Sequence, residues 1–238
     1  MELVRKEKTM AKRKWEFTGE TKICLGGTLK RIRAAIEFNL KCGITIAKGE
    51  LGGWIEGESN LSGDAWVSGD AEVSGNAKVF GDAWVSGEAK VYENVEVSGN
   101  ALVYGNAQVF GNAKVSGDAL VNGNAKVYGN AWVSGNAKVF GDAWVSGNAK
   151  VYGDAWVSGD AKVSGDAEVK SSEDYCVYKN TWSSCRWFTY TKSNKMWSVG
   201  CFYGTGAELI AKAYKDSEKS GKCYEAIVKA QEAIEKAM

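Results

Sequence analysis

The 238-residue chain contains no histidine and no proline. At a usual frequency of about 5%, a chain this long holds roughly a dozen prolines. Without imidazole there is no Ser-His or Cys-His dyad, no histidine general base and no histidine metal ligand. Much of hydrolase, acyltransferase and zinc chemistry is disfavoured on that ground. Long apolar runs are missing too, and the N-terminus (MELVRKEKTMAKRKWEF) lacks the apolar core of a signal peptide. The expectation is a cytoplasmic protein with no membrane partner.

An excess of charge is also lacking. Thirty basic side chains face 29 acidic ones, which argues against a wholesale nucleic-acid binder and against an acidic DNA mimic. The distribution is uneven, however. The first 33 residues hold 10 basic against 4 acidic groups, including Lys12, Arg13, Lys14, Lys30, Arg31 and Arg33. A basic arm is the plain reading, and a nucleic-acid contact through these residues is the alternative. The six cysteines form no CxxC pair and have no histidine to complete a mixed zinc site. They are expected to be reduced, mostly buried thiols, with no metal and no cofactor.

What the chain has in abundance is a repeat. From Gly63 to Lys170 it reads as 18 consecutive six-residue units such as GDAWVS and GNAKVF. The first position is Gly in 17 of the 18 units, Glu93 being the exception, and the fifth is Val in all of them. The second is Asn, Asp or once Glu, and the third is Ala except at Val95. Ala and Val sit two apart, so on an extended segment both point to one face, the interior. The variable fourth and sixth residues then point outward. Gly followed by Asn or Asp supplies the backbone freedom to turn a corner after each short strand. A helix would need apolar spacings of three and four instead.

These residues, exemplified by Val67-Ser68-Gly69-Asp70-Ala71, resemble the hexapeptide-repeat, left-handed parallel β-helix family. The resemblance implies three units per coil and an 18-residue period. Sorting by that period places Asn76, Asn94, Asn112, Asn130 and Asn148 in one column, followed by Asp166. At ~4.8 Å per coil they would form an amide ladder. The phase runs back through Leu61 and Ile55, so the coil is expected to start near Leu51. That gives a little under seven coils and a prism roughly 30 Å long.

Both ends of a solenoid need covers, because the terminal coils expose edge strands and apolar core. Residues 1–50 read as a basic arm and cap, with a strand-rich piece (Trp15 to Cys24), a turn at Gly26-Gly27 and a helical stretch from about Thr28 to Phe38. Residues 51–170 are the β-helix. Residues 171–238 read as a small α+β domain: aromatic-rich strands over 173–204, then helices near 206–217 and 222–237. The fold class is therefore mainly β. The phrase Lys48-Gly49-Glu50-Leu51-Gly52-Gly53-Trp54-Ile55-Glu56, with Thr28–Ala34 and Gly200–Thr205, is similar to flanking motifs of uncharacterised repeat proteins of bacteriophages and prophages. That resemblance implies a phage origin and a host-cell cytoplasmic location, but no activity.

The same fold carries acyltransferases, whose catalytic histidine and inserted loop this repeat lacks, and zinc carbonic anhydrases, which need three imidazoles. An acyltransferase-like enzyme without histidine is a secondary alternative. The column Asp64, Asp82, Asp118 and Asp154 reads as turn chemistry rather than catalysis, and Glu93 as a tolerated substitution. Thr ranks suited to ice are absent from the repeat. The outward fourth positions of one face read Trp66, Trp84, Leu102, Leu120, Lys138 and Trp156. Such an apolar column is expected to be covered by a twin subunit in a dimer or trimer, by a host protein, or by a terminal domain. Tyr92, Phe110 and Tyr128 form a shorter aromatic stack, unaccompanied by any arginine in the repeat. The expected function is a non-enzymatic scaffold that self-associates and binds a host macromolecule, inhibition of a bacterial defence system being one such use.

Overall fold

Six-residue periodicity becomes geometry in the computed structural model, which describes residues 13–24 and 27–237. The N-terminal part comprises β1 (Trp15–Cys24), β2 (Gly27–Ala34), β3 (Phe38–Asn39), β4 (Thr45–Ile46) and β5 (Leu51–Ile55). Eighteen two-residue strands follow, from β6 (Trp66–Val67) to β23 (Glu168–Val169). They close the chain with β24 (Tyr175–Lys179), β25 (Trp187–Thr191), β26 (Met196–Val199), β27 (Phe202–Thr205), α1 (Gly206–Asp216) and α2 (Glu218–Ala237).

The repeat is a parallel β-solenoid of about six turns. Each short strand pairs in parallel with the strand 18 residues away, as Leu102 with Leu120 and Val103 with Val121. The pairings make three sheets, and β5 continues one of them through Trp54↔Glu72 and Ile55↔Val73. Leu61 adds a lone parallel bridge to Val79. Outward residues give their backbone N–H to the carbonyl 17 residues on, as Leu102 to Ala119 and Tyr104 to Val121, both at 2.9 Å. The repeat's Ala and Val side chains are buried. Each enclosed Val contributes about 1.5–3 kcal/mol of apolar burial. Gly111 shows why the corner is glycine: its φ is +79°, and a Cβ would lie 2.8 Å from the Gly129 nitrogen.

The N-terminal cap corrects one expectation. The segment read as helical from Thr28 to Phe38 is strand β2 over Gly27–Ala34, antiparallel to both β1 and β5. Apolar residues at 29, 32 and 36 suit a helical period locally. Pairing on both edges decides otherwise, and Ile32 and Ala34, two apart, join the solenoid core. Of the expected Gly26-Gly27 turn, Gly26 lies outside the described residues, as do Lys12 and the rest of the arm over 1–12.

The C-terminal domain is an antiparallel sheet, β24 to β27 in sequence order, with α1 and α2 packed on it around Phe188, Tyr190, Trp197, Leu209, Tyr224 and Val228. It closes the last coil chemically. Thr189 Oγ1 accepts the Lys162 N–H at 2.8 Å and Ser193 Oγ accepts the Glu168 N–H at 2.7 Å. These hydroxyls stand where the carbonyls of a further coil would be. Helix α2 begins four residues before the expected start. Ser217 Oγ accepts the Ser220 N–H at 3.1 Å as an N-cap, and Gly221 lets the Tyr214 ring lie against the helix. No described helix is long and apolar enough to cross a membrane.

The six thiols are free, but none is fully buried. Cys24, Cys176 and Cys223 are partly exposed, and Cys42, Cys185 and Cys201 are exposed. The interior positions of the 18 repeat units are all Ala or Val, so the cysteines fall to the two end units.

Candidate functional site

The first face divides into a covered half and an open half. Trp66 is fully buried, which corrects its place on a binding surface. The N-terminal cap lies over it, with the Phe38 ring edge-on at 5.7 Å, and Gly52 leaves room for its six-membered ring. Trp84 is partly buried against the same cluster, and its indole N–H donates to Ser68 Oγ at 2.8 Å. Leu102 and Leu120 continue the column half-buried, and Trp156 is 51% exposed. Lys138 sits 4.7 Å from the Trp156 ring centroid, and Phe140 meets that ring edge-on. Trp132, on a neighbouring face, is 47% exposed.

The second face carries the aromatic stack as read from the 18-residue register. Tyr92 and Phe110 lie 5.1 Å apart and Phe110 and Tyr128 4.9 Å apart, with interplanar angles of 1° and 2°. Stacked rings spend their faces on one another and present edges to solvent, so the middle of the stack offers no platform to a base. The end at Tyr128 meets Trp144 edge-on at 6.2 Å. Trp144 is held between two ammonium groups, Lys126 at 5.0 Å and Lys162 at 4.6 Å. These three, with Asp142, Asp160, Arg186 and Trp187, line a groove of about 580 Å³ where the C-terminal domain meets the solenoid. The repeat register already aligns Lys126, Trp144 and Lys162. No local signal ties Arg186 to them.

The basic N-terminal residues are occupied within the chain. Arg13 pairs with Glu58 at 2.6 Å, Lys14 with Asp64 at 2.5 Å and Arg33 with Glu16 at 2.7 Å. Arg31 pairs with Glu20 at 3.2 Å and lies over the Trp54 ring, while Lys30 lies over Phe17. Four of these five therefore face a carboxylate rather than a clear field, and the fifth faces a ring.

The corner carboxylates are engaged between coils and with the N-terminal part. Asp118 and Asp154 accept amide donors from Asn100 and Asn136 at 2.7 and 2.9 Å. Asp82 answers Lys41 at 2.9 Å, whose ammonium is held above its ordinary range chiefly by that hydrogen bond. The asparagine ladder from Asn76 to Asp166 is continuous, each step between 2.8 and 3.1 Å.

Glu93 is more than a tolerated substitution. It holds φ at +66°, a conformation that costs a non-glycine residue about 1–2 kcal/mol. Its Oε2 accepts the Gly111 N–H from the next coil at 2.8 Å, and Glu56 treats Gly75 alike at 2.6 Å. Burial, and then the neighbouring Glu93 carboxylate, push the Tyr92 hydroxyl above its usual range.

Three parallel sheets with one strand per six residues define a β-solenoid. In agreement, residues 97–111 match the sequence model of the YdcK beta solenoid repeat. No curated protein matches the chain significantly.

Proposed function

We propose that the chain is a non-enzymatic rigid scaffold, a left-handed β-helix with three hexapeptides per coil, which self-associates sideways and binds a host macromolecule. The handedness rests on the resemblance of the Gly-Asn/Asp-Ala-x-Val unit and on the uniform 18-residue step. The phage origin and host partner rest on the flanking motifs. The observation that carries the self-association is the open half of the first face, Leu102, Leu120 and Trp156, left uncovered although both ends of the solenoid are closed. Closed ends disfavour end-to-end stacking, which directs association to the sides.

Light scattering on the purified chain tests this. A mass of two or three times 25.7 kDa is expected, falling to the monomer value in the Leu102→Glu/Leu120→Glu double variant. A monomeric wild type, or a variant of unchanged mass, overturns the self-association. Capture from a bacterial lysate tests the second half. A host macromolecule should be retained by the wild type, and capture of nothing overturns the host-binding half.

A further inference from the structure

The aromatic stack is closed at one end and open at the other. At Tyr128 it runs into Trp144, whereas at Tyr92 the preceding coil places only Ser74 in the ring column. One Tyr92 face is taken by Phe110. Tyr92 and Ser74 both line a cavity of about 550 Å³, with Cys24, Glu56, Glu72, Lys90, Glu93 and Gln108 among the other lining residues. The cavity is thus a missing rung beside Tyr92.

Its charge is distinctive. Glu72 is answered by Lys22 at 2.8 Å and Lys90 at 3.7 Å. Glu56 and Glu93 have no ion-pair partner among the described residues, and each spends one oxygen on a backbone N–H of the next coil. Both carboxylates line the cavity. A group that fits must be planar, to lie on Tyr92, and cationic with in-plane donors, to meet two carboxylates. Guanidinium has all three properties, whereas an ammonium is neither planar nor forked.

We propose that this cavity receives an arginine side chain of a partner protein, stacked on Tyr92 as the fourth rung and hydrogen-bonded to Glu93 and Glu56. The proposal specifies a contact for the partner-binding reading above but does not require the self-association face. Glu93 then has a reason to occupy a corner that glycine fills in the other units.

The test is titration of the ¹⁵N-labelled full-length chain with N-acetyl-arginine amide, followed by NMR. Saturable shifts are expected at the Gly75, Tyr92 and Gly111 amides, at up to ~10 mM ligand for a ~1 mM dissociation constant. The lysine and citrulline analogues should bind about tenfold more weakly or not at all, since one lacks the plane and the other the charge. Glu93→Gly restores the repeat's own corner residue and should fold, yet lose about tenfold in affinity. Ser74→Tyr supplies the missing ring from within and should abolish the shifts. Absence of saturable shifts in the wild type overturns the proposal, as does equal binding of citrulline or full affinity in Ser74→Tyr. A wild-type chain that binds the arginine probe but captures nothing from lysate would overturn the host-partner reading and leave this site standing.

Discussion

Asn112 donates its side-chain amide to Asn130 Oδ1, one coil on, at 3.1 Å, and accepts from Asn94 at 3.0 Å. The direction of donation never reverses along the column. Where an aspartate interrupts an amide run it stands as the acceptor, as Asp166 does for Asn148 and Asp142 for Asn124.

An aspartate inside the run should therefore be harmful. In Asn112→Asp the donor to Asn130 is replaced by an acceptor, and two oxygens face each other. A loss of about 1 kcal/mol is expected at pH 7, read as a lower urea midpoint. The facing oxygen raises the carboxyl pKa in the folded state, so the deficit against wild type should shrink as pH falls toward about 4, where the protonated acid donates again. A deficit independent of pH would contradict the ladder's role.

At the far end, Thr189 supplies the oxygen that a seventh coil would have offered Lys162. Thr189→Val keeps the shape and removes that acceptor. The orphaned N–H should cost about 1–3 kcal/mol, with the Lys162 amide losing most of its hydrogen-exchange protection. Unchanged protection there would mean the cap does not depend on this bond.

Trp66 and Trp156 share a column but not an environment. Trp66→Ala should cost about 3–5 kcal/mol, because a buried ring is deleted beneath the N-terminal cap. Trp156→Ala should change monomer stability by less than about 0.5 kcal/mol. Denaturant midpoints of the two variants check this, and equal losses would place both rings in comparable surroundings.

Helix α1 carries a pH-dependent start. Glu208 Oε2 accepts the Thr205 N–H at 2.8 Å, and the hydrogen bonds from Thr205 hold the carboxyl below its ordinary range. A depressed acid stabilises above its unfolded pKa, and the contribution is lost as pH falls through the folded value. Circular dichroism melts of wild type and Glu208→Gln should therefore differ at pH 6 and converge in acid. A constant difference would exclude the carboxylate as the cause.

The sequence by itself determined the solenoid, its register and the asparagine ladder within it. Every unit meets nearly the same neighbours, so Gly, Asn or Asp, Ala and Val at fixed spacing are sufficient local instructions, repeated 18 times. The stack from Tyr92 to Tyr128 was legible for the same reason. The ends were not, because their partners are distant in the chain. Whether 28–38 was helix or strand depended on edges offered by β1 and β5, and whether Trp66 met water depended on Phe38 folding over it. The open rung beside Tyr92 belongs to both levels: Ser74 and Glu56 fall in the ring column by the 18-residue register, but only folding brings Cys24 from the cap to the same cavity.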